Sequence, residues 1–196
     1  MISHLDIWAA PIPDDVMWIV CLDPGETTGV CWARVTMLDL CSWGVCTDLF
    51  QMLRRDGQFG FSQVRAAPVG GFTADNVFGL EKQAVDRIVQ RCALLRRGTT
   101  THMHVIVEDF ILRHSSSDRS LLSPVRITAM LYSMLTDEED SISVHMQQPS
   151  DAMSIVTDAR LKELGLWQVG RRHANDAARH MVLFLTRLLQ SDVLKI

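Results

Sequence analysis

The stretch that most constrains the fold is MWIVCLDPGETTG, residues 17–29, in which an apolar run ends abruptly on an acid and a turn. Residues 18–22 are apolar and rich in β-formers, and the run is too short to be assigned to a helix. Pro24 biases Asp23 away from the α conformation, and Gly25 permits a turn. The pattern predicts a buried strand that presents a carboxylate at its end. An isolated Asp in this position also serves simply to cap a turn, so its function depends on what else the chain supplies.

The length and composition of the chain indicate a single folded domain. The chain has 196 residues, of which 47% are hydrophobic and 21% charged, and this excludes a disordered protein. Its five cysteines are an odd number without a CxxC pair, which indicates buried thiols in a reducing compartment. We find no signal peptide and no apolar run that would span a bilayer, so we expect a cytoplasmic protein. The net charge of -4 argues against non-specific nucleic-acid binding, although clustered arginines leave room for a local basic surface.

The sequence of the first half of the chain predicts an antiparallel β-meander. Residues 1–16 lack periodicity and are expected to form an irregular N-terminal arm before a single domain of residues 17–196. Val30–Met37 and Cys41–Leu49 are predicted as two further strands, antiparallel to one another. Residues 53–73 hold four glycines and are predicted as an unusually long loop.

A second apolar run ends on acids further along the chain. A helix from about Asp75 to Arg97 precedes the predicted strand 104–107, which leads directly into Glu108 and Asp109. Three more elements follow, namely a helix capped by Ser123, a strand at 142–146 and a short helix at 157–164. Two strands of one domain are therefore expected to present carboxylates.

The final predicted helix, residues 172–189, begins RRHANDAARH. His173 and Asp176 are three residues apart and share a helix face, and His180 lies one further turn along. An acid in the first helical turn is also favoured by the helix dipole, and His180 could be a polar surface residue. The spacing alone therefore does not decide between a ligand pair and ordinary helix chemistry.

The three acidic segments together predict a cation site. Carboxylates that converge in a partly buried site repel one another unless a cation neutralises them. Oxygen ligands with one imidazole suit Mg²⁺ or Mn²⁺, and two such ions ~3.5–4 Å apart can support in-line phosphoryl displacement by water. The sequence has no nucleophile elbow or Walker loop that would indicate another chemistry.

Three segments, IVCLDPGETTG, VIVEDF and HANDAARH, resemble the RuvC-like Holliday-junction resolvases of the ribonuclease H-like superfamily, especially those encoded by bacteriophages. The resemblance spans about residues 17–189. It implies an α/β ribonuclease H-like fold with a five-stranded mixed sheet flanked by helices. It also implies metal-dependent cleavage of branched DNA by a homodimer with two Mg²⁺ or Mn²⁺ ions, leaving 5′-phosphate and 3′-hydroxyl ends. A phage-encoded member would act in the host cytoplasm. The metal-binding and catalytic residues implied are Asp23, Glu108, His173 and Asp176.

The resemblance also has departures and open choices. QQPSDAM lacks the lysine that bacterial members carry after the fifth strand; Met153 stands at about that position, and Lys162 is a possible substitute. The family pattern favours Glu108 over Asp109 as the second ligand. The residues expected to contact DNA are Thr27, Thr28, Arg113, Ser115, Ser117, Arg119 and Arg126.

The helix 124–135 is the expected dimer contact, since Ile127, Met130, Leu131 and Met134 form an apolar stripe on it. Such a stripe more commonly packs on the protein's own sheet, so the contact stays open at this point.

Three other functions compete with the resolvase. An actin-like ATPase has a phosphate loop similar to DPGETTG but needs two lobes, and this chain holds only one. A ribonuclease H-like nuclease acting on hybrids or flaps, and a catalytically silent DNA-structure-binding protein, are not separated from a resolvase by sequence.

Overall fold

The computed structural model describes residues 16–42, 46–66, 77–97, 102–110, 122–136 and 141–190. Its centre is a five-stranded mixed sheet in the order β3-β2-β1-β4-β5. The strands are β1 (Val16–Asp23), β2 (Thr27–Thr36), β3 (Phe59–Arg65), β4 (His102–Glu108) and β5 (Ile142–Gln147). The first three form an antiparallel meander, whereas β4 pairs in parallel with β1 and β5 in parallel with β4. The predicted α/β class and mixed five-stranded sheet are confirmed.

Helices cover both faces of the sheet. They are α1 (Met37–Ser42), α2 (Cys46–Arg55), α3 (Val77–Arg96), α4 (Ser123–Thr136), α5 (Pro149–Ile155), α6 (Asp158–Glu163) and α7 (Arg172–Gln190). One core cluster joins Ile19 and Cys21 of β1 to α2, α5, α6 and α7, and the other joins Val20 and Leu22 to α3 and α4. Because β1 is buried on both faces, its sequence is a continuous apolar run rather than an alternating one. No helix among the described residues is both long and apolar enough to span a membrane.

The predicted strand Cys41–Leu49 is wrong, because this segment belongs to the helices α1 and α2. Thr36 and Asp39 start α1 by a reciprocal pair of bonds: the Thr36 amide donates to Asp39 Oδ2 at 2.8 Å, and the Asp39 amide donates to Thr36 Oγ1 at 2.9 Å. Such a box satisfies amides that the first helical turn leaves unpaired. The buried residues Leu49, Phe50 and Leu53 then follow helical rather than strand spacing.

The predicted loop at 53–73 is also wrong in its first half. Residues up to Arg55 finish α2, and Phe59–Arg65 forms β3 at the edge of the sheet. Gly60 lies beside the Trp32 ring on the neighbouring strand, where a Cβ would collide with the indole. The glycine therefore makes room for a packed tryptophan inside a strand instead of marking a loop. Residues 67–73 lie outside the described part of the chain.

The later elements agree with the sequence prediction. Helix α3, strands β4 and β5 and helices α4, α6 and α7 lie within a few residues of their expected bounds. Thr157 caps α6, its side chain accepting a hydrogen bond from the Arg160 amide at 3.2 Å. Cys21, Cys31 and Cys92 are buried as expected, whereas Cys41 is exposed. The expected N-terminal arm lies outside the described residues except for Val16.

The apolar stripe of α4 packs inside the protein. Ile127 and Leu131 are fully buried, and Met130 and Met134 pack against the same core cluster. The stripe therefore does not supply the dimer contact that the sequence left open.

Gly29 sets the distance between the sheet and α7. It pairs with Asp23 across β1 and β2. A Cβ on Gly29 would overlap the backbone carbonyl of His173 and approach the amide of Ala174. The first turn of α7 therefore lies directly on β2, which is possible only because residue 29 has no side chain.

Replacement of Gly29 by Ala is expected to destabilise the protein by about 1–3 kcal/mol, because backbone rather than a flexible side chain must move to admit the methyl group. Urea denaturation of the wild type and the variant measures this difference. Gly79→Ala is the matched control: Gly79 is exposed on α3, and a Cβ there meets nothing within 4 Å. It should leave stability unchanged or raise it by up to about 1 kcal/mol. Equal stability of the two variants would contradict the close approach of α7.

Candidate active site

Two carboxylates meet at one edge of the sheet because of strand direction. Strands β1 and β4 are parallel neighbours, with Leu22 paired to Val107, so that Asp23 and Glu108 leave the sheet at the same end. This confirms the prediction that the strand ending at Asp23 lies beside the strand ending at Glu108. Both side chains line a single cleft.

Asp23 is paired with His173 from the first turn of α7. His173 Nδ1 lies 2.7 Å from Asp23 Oδ2. Asp23 is only 8% exposed, and burial raises the pKa of its carboxyl to about 6, with the hydrogen bond from His173 opposing the rise and the charge of Glu108 adding to it. The same hydrogen bond raises the pKa of His173. Near neutral pH the pair can therefore hold or release a proton.

Asp176 is held by an arginine on its own helix. The Arg179 guanidinium donates from Nη1 to Asp176 Oδ1 at 2.6 Å and from Nε to the Val156 carbonyl at 3.0 Å, and it also pairs with Asp158. Burial raises the pKa of Asp176, and the positive charge of Arg179 opposes that rise. Arg179 is itself buried, so its interactions fix α7 to the segment that joins α5 and α6.

Glu108 is held by a second histidine of α7. His180 Nε2 lies 2.9 Å from Glu108 Oε2, and His180 Nδ1 lies 2.9 Å from Gln147 Oε1. His180 is 1% exposed, which excludes the alternative of a polar surface residue. Each of the three acids therefore has a partner on α7.

The cleft that contains these groups has a volume of about 560 Å³. Acids, two histidines, arginines and apolar side chains share its wall. The residues that line it are Asp23, Glu108, Pro149, Ala152, Met153, Asp158, Trp167, Gly170, Arg171, Arg172, His173, Asn175, Asp176, Arg179 and His180. All four predicted site residues are in this set.

The four predicted ligands fit a hard divalent cation, since they combine carboxylate oxygens with one imidazole. The pKa of Asp23 is raised to about 6 mainly by burial, with a smaller contribution from the charge of Glu108, so a cation beside this buried carboxylate would favour its ionised form. Among the described residues, no group of three or more His, Cys, Asp or Glu side chains is arranged to hold a metal ion in the positions seen. Asp23 and Glu108 are instead engaged by histidines, and a cation would have to share or displace the contact between Asp23 and His173.

Asp109 faces away from this cleft. Its Oδ2 accepts a hydrogen bond from Gln148, and the residue lines a separate cavity with Phe110, Tyr132 and Met146. Glu108, not its neighbour, therefore shares a cleft with Asp23. That Glu108 is the second ligand, as the family pattern implies, stays a prediction.

The position expected for a lysine is taken by an apolar side chain. Met153 lies on α5, is 63% exposed and lines the cleft. Lys162, the suggested substitute, lies on α6 with Nζ 5.0 Å from the centre of the Trp167 ring, and it is not among the residues that line the cleft.

The expected DNA-contacting residues are not brought together by the described structure. Thr28 is buried and exchanges hydrogen bonds with the backbone of Gly25, which is a turn-stabilising role. Thr27 is half-buried at the start of β2. Arg126 forms a two-pronged ion pair with buried Glu81 of α3, at 2.7 and 2.6 Å, which links α4 to α3. The remaining four, Arg113, Ser115, Ser117 and Arg119, lie outside the described residues.

Sequence reasoning missed Gln147, Arg179, Asp158 and Trp167. Arg179 follows Asp176 by three residues, so helical spacing alone could have placed it beside the site. Gln147 and Asp158 could not be found in this way, since Gln147 meets His180, and Asp158 reaches the cleft, only through packing of separate elements.

Neither a family model nor a curated protein matches the chain. Solved structures do match. Thermus thermophilus RuvC in complex with a Holliday junction substrate has a TM-score of 0.52 at 14% identity, and the match covers 88% of this chain and 96% of that one. The yeast mitochondrial Holliday junction resolvase Ydc2 has a TM-score of 0.51 at 15% identity, covering 96% of this chain and 84% of that one. The chain thus has the fold of RuvC and the mitochondrial resolvase.

Proposed function

We propose that this protein is a metal-dependent endonuclease that cuts branched DNA, with the four-way Holliday junction as its main substrate. The observation that carries the proposal is the convergence of Asp23, Glu108, His173 and Asp176 in one cleft at the end of two parallel strands. The choice of substrate is supported by the similarity in fold to RuvC, whose structure was solved with a Holliday junction, and to a mitochondrial Holliday junction resolvase. We further propose that it is of the bacteriophage type and acts in the host cytoplasm, on the sequence motifs alone.

The four residues have distinct tasks in this proposal. They would hold two Mg²⁺ or Mn²⁺ ions, which when bound supply the charge that neutralises the scissile phosphate and lowers the pKa of water. In the absence of metal, His173 and Asp23 are held together by their 2.7 Å contact, which a bound cation would share or displace. Arg179 keeps Asp176 turned toward the cleft. Hydrolysis leaves a 5′-phosphate and a 3′-hydroxyl.

Two arginines are suited to receive the DNA backbone. Arg171 and Arg172 line the cleft just before the first turn of α7 and within it, and the Arg172 side chain is 89% exposed. Its nearest acid, Asp176, is 3.8 Å away, so the pairing is loose and solvent-exposed. A phosphate that enters the cleft can therefore replace that contact without uncovering a buried charge.

Asp23→Asn is expected to lower the cleavage rate by more than about 100-fold, because metal-ion catalysis supplies several kcal/mol and each ~1.4 kcal/mol is a factor of ten. Junction binding should survive, since the substitution preserves shape. The experiment compares four-way junction, flap, RNA–DNA hybrid and linear duplex side by side with Mg²⁺ or Mn²⁺.

Preferential cutting of hybrid or flap would favour the alternative ribonuclease H-like activity. Binding without any cutting by the wild type would favour a catalytically silent DNA-structure-binding protein.

Asp109→Asn is the matched control for Glu108→Gln, since the two acids are adjacent in sequence but line different cavities. Loss of cleavage is expected for the Glu108 variant, with the Asp109 variant staying within about threefold of the wild type. The reverse outcome would assign the second ligand to Asp109.

Protons and cations should compete for the site. With the Asp23 pKa at about 6, the apparent affinity for Mn²⁺ is expected to fall about tenfold per pH unit below that value for each proton displaced. The pKa of His173 is also raised in this structure, and this too weakens metal binding at lower pH, since a protonated imidazole cannot be a ligand. Calorimetric titration of metal-free protein with Mn²⁺ at about pH 5, 6 and 7 measures this. A pH-independent affinity would contradict a site built on Asp23.

A symmetric homodimer is the simplest way to deliver paired cuts with one site per chain. We therefore expect sedimentation to give a dimer at micromolar concentration, at least with junction DNA bound. The Ile127 stripe of α4 is not the contact, because it packs on the protein's own core. A monomer under both conditions would point instead to single nicks or flap cleavage.

A further inference from the structure

His180 connects three separate elements of the fold at the floor of the cleft. It lies on α7, and its two ring nitrogens reach Glu108 at the end of β4 and Gln147 at the end of β5, both at 2.9 Å. The parallel pairing of β4 and β5 places Glu108 and Gln147 in register as neighbours. His180 and Gln147 are both almost completely buried. A buried imidazole with both nitrogens engaged has one fixed orientation.

The proton on this ring can be located from its two partners. Glu108 Oε2 is a carboxylate oxygen and only accepts while ionised. The amide of Gln147 can present either its oxygen or its NH₂ group to Nδ1, since the two differ only by a rotation of the amide. In the first orientation both ring nitrogens donate, and in the second only Nε2 donates. In both cases Nε2 carries a proton and donates it to Glu108.

We propose that His180 is a positioning residue that orients the Glu108 carboxylate toward a divalent cation, an inference that rests on the proposed function. Hydrogen bonds to ligand carboxylates fix their orientation in metal sites, and removing them typically costs about 10–100-fold in metal affinity or activity. The bond uses Oε2 and leaves Oε1 as the ligand atom. Gln147 in turn fixes the ring of His180.

Glu108 needs such a partner more than Asp23 does. A glutamate side chain has one more rotatable bond than an aspartate, and ordering it costs more conformational entropy. The Glu108 side chain is also 20% exposed, whereas that of Asp23 is 11% exposed and enclosed by β2 and α7. Without His180 the carboxylate would swing into solvent and lose contact with the site.

The first test measures Mn²⁺ affinity by calorimetry in three variants. His180→Leu removes the donor and is expected to weaken binding about 10–100-fold. His180→Gln restores an N–H at nearly the same reach and is expected to recover affinity to within about threefold of the wild type. His145→Leu is the control, since it removes a half-buried imidazole from β5 whose hydrogen bond is to His104 rather than to an acid. Wild-type affinity in a folded His180→Leu protein, or failure of His180→Gln to recover it, overturns the proposal.

The second test needs neither metal nor activity. A long-range ¹H–¹⁵N spectrum of the metal-free wild type should show His180 protonated at Nε2, and that resonance should shift in Glu108→Gln. An unprotonated Nε2, or no response to Glu108→Gln, overturns the positioning role even if His180→Leu fails to fold. If the spectrum gives either of these results while the wild type still binds Mn²⁺ and cleaves DNA, the proposed function stands and only the positioning role is refuted. A wild type that binds no Mn²⁺ refutes the proposed function, and the positioning role with it, whatever the spectrum shows.

Discussion

The parallel pairing of β1 with β4 is the constraint on which the rest of the site depends. It sends Asp23 and Glu108 out of the sheet at one edge, where burial, and to a lesser degree the charge of Glu108, raise the pKa of Asp23. Burial of like charges is unfavourable without compensation. Helix α7 provides that compensation residue by residue, because His173, Arg179 and His180 each bind one of the acids.

Helix α7 serves the core and the cleft with different faces. Ala177, Met181 and Leu185 pack in the core cluster beneath the sheet, and the polar residues of its first three turns line the cleft. Gly29 allows the first turn to touch β2, so the position of His173 is set by backbone contact and not by a flexible side chain. Packing energy thus fixes the geometry of the polar groups, as a preorganised site requires.

The sequence was most informative where chemistry and periodicity coincide. Two apolar runs that end on acids, and a histidine three residues before an acid, marked the segments that matter. The resemblance to the RuvC-like resolvases then supplied the mixed sheet and the set of four residues that share a cleft. Prediction failed at β3 and α2, where local composition misleads. Gly60 in β3 is required by the neighbouring Trp32 ring. Helix α1 begins with the reciprocal hydrogen bonds of Thr36 and Asp39, and a search for strand patterns does not detect such bonds. Gln147 was missed because its role exists only after β5, β4 and α7 have packed together.

The 150 residues that separate Asp23 from His173 have a consequence for how such a protein is made. During translation the strands that carry Asp23, Glu108 and Gln147 emerge before any part of α7. They can begin to pair on the ribosome, but their acids stay open to water, without His173, Arg179 or His180. The cleft closes only when nearly all of the described chain has been synthesised.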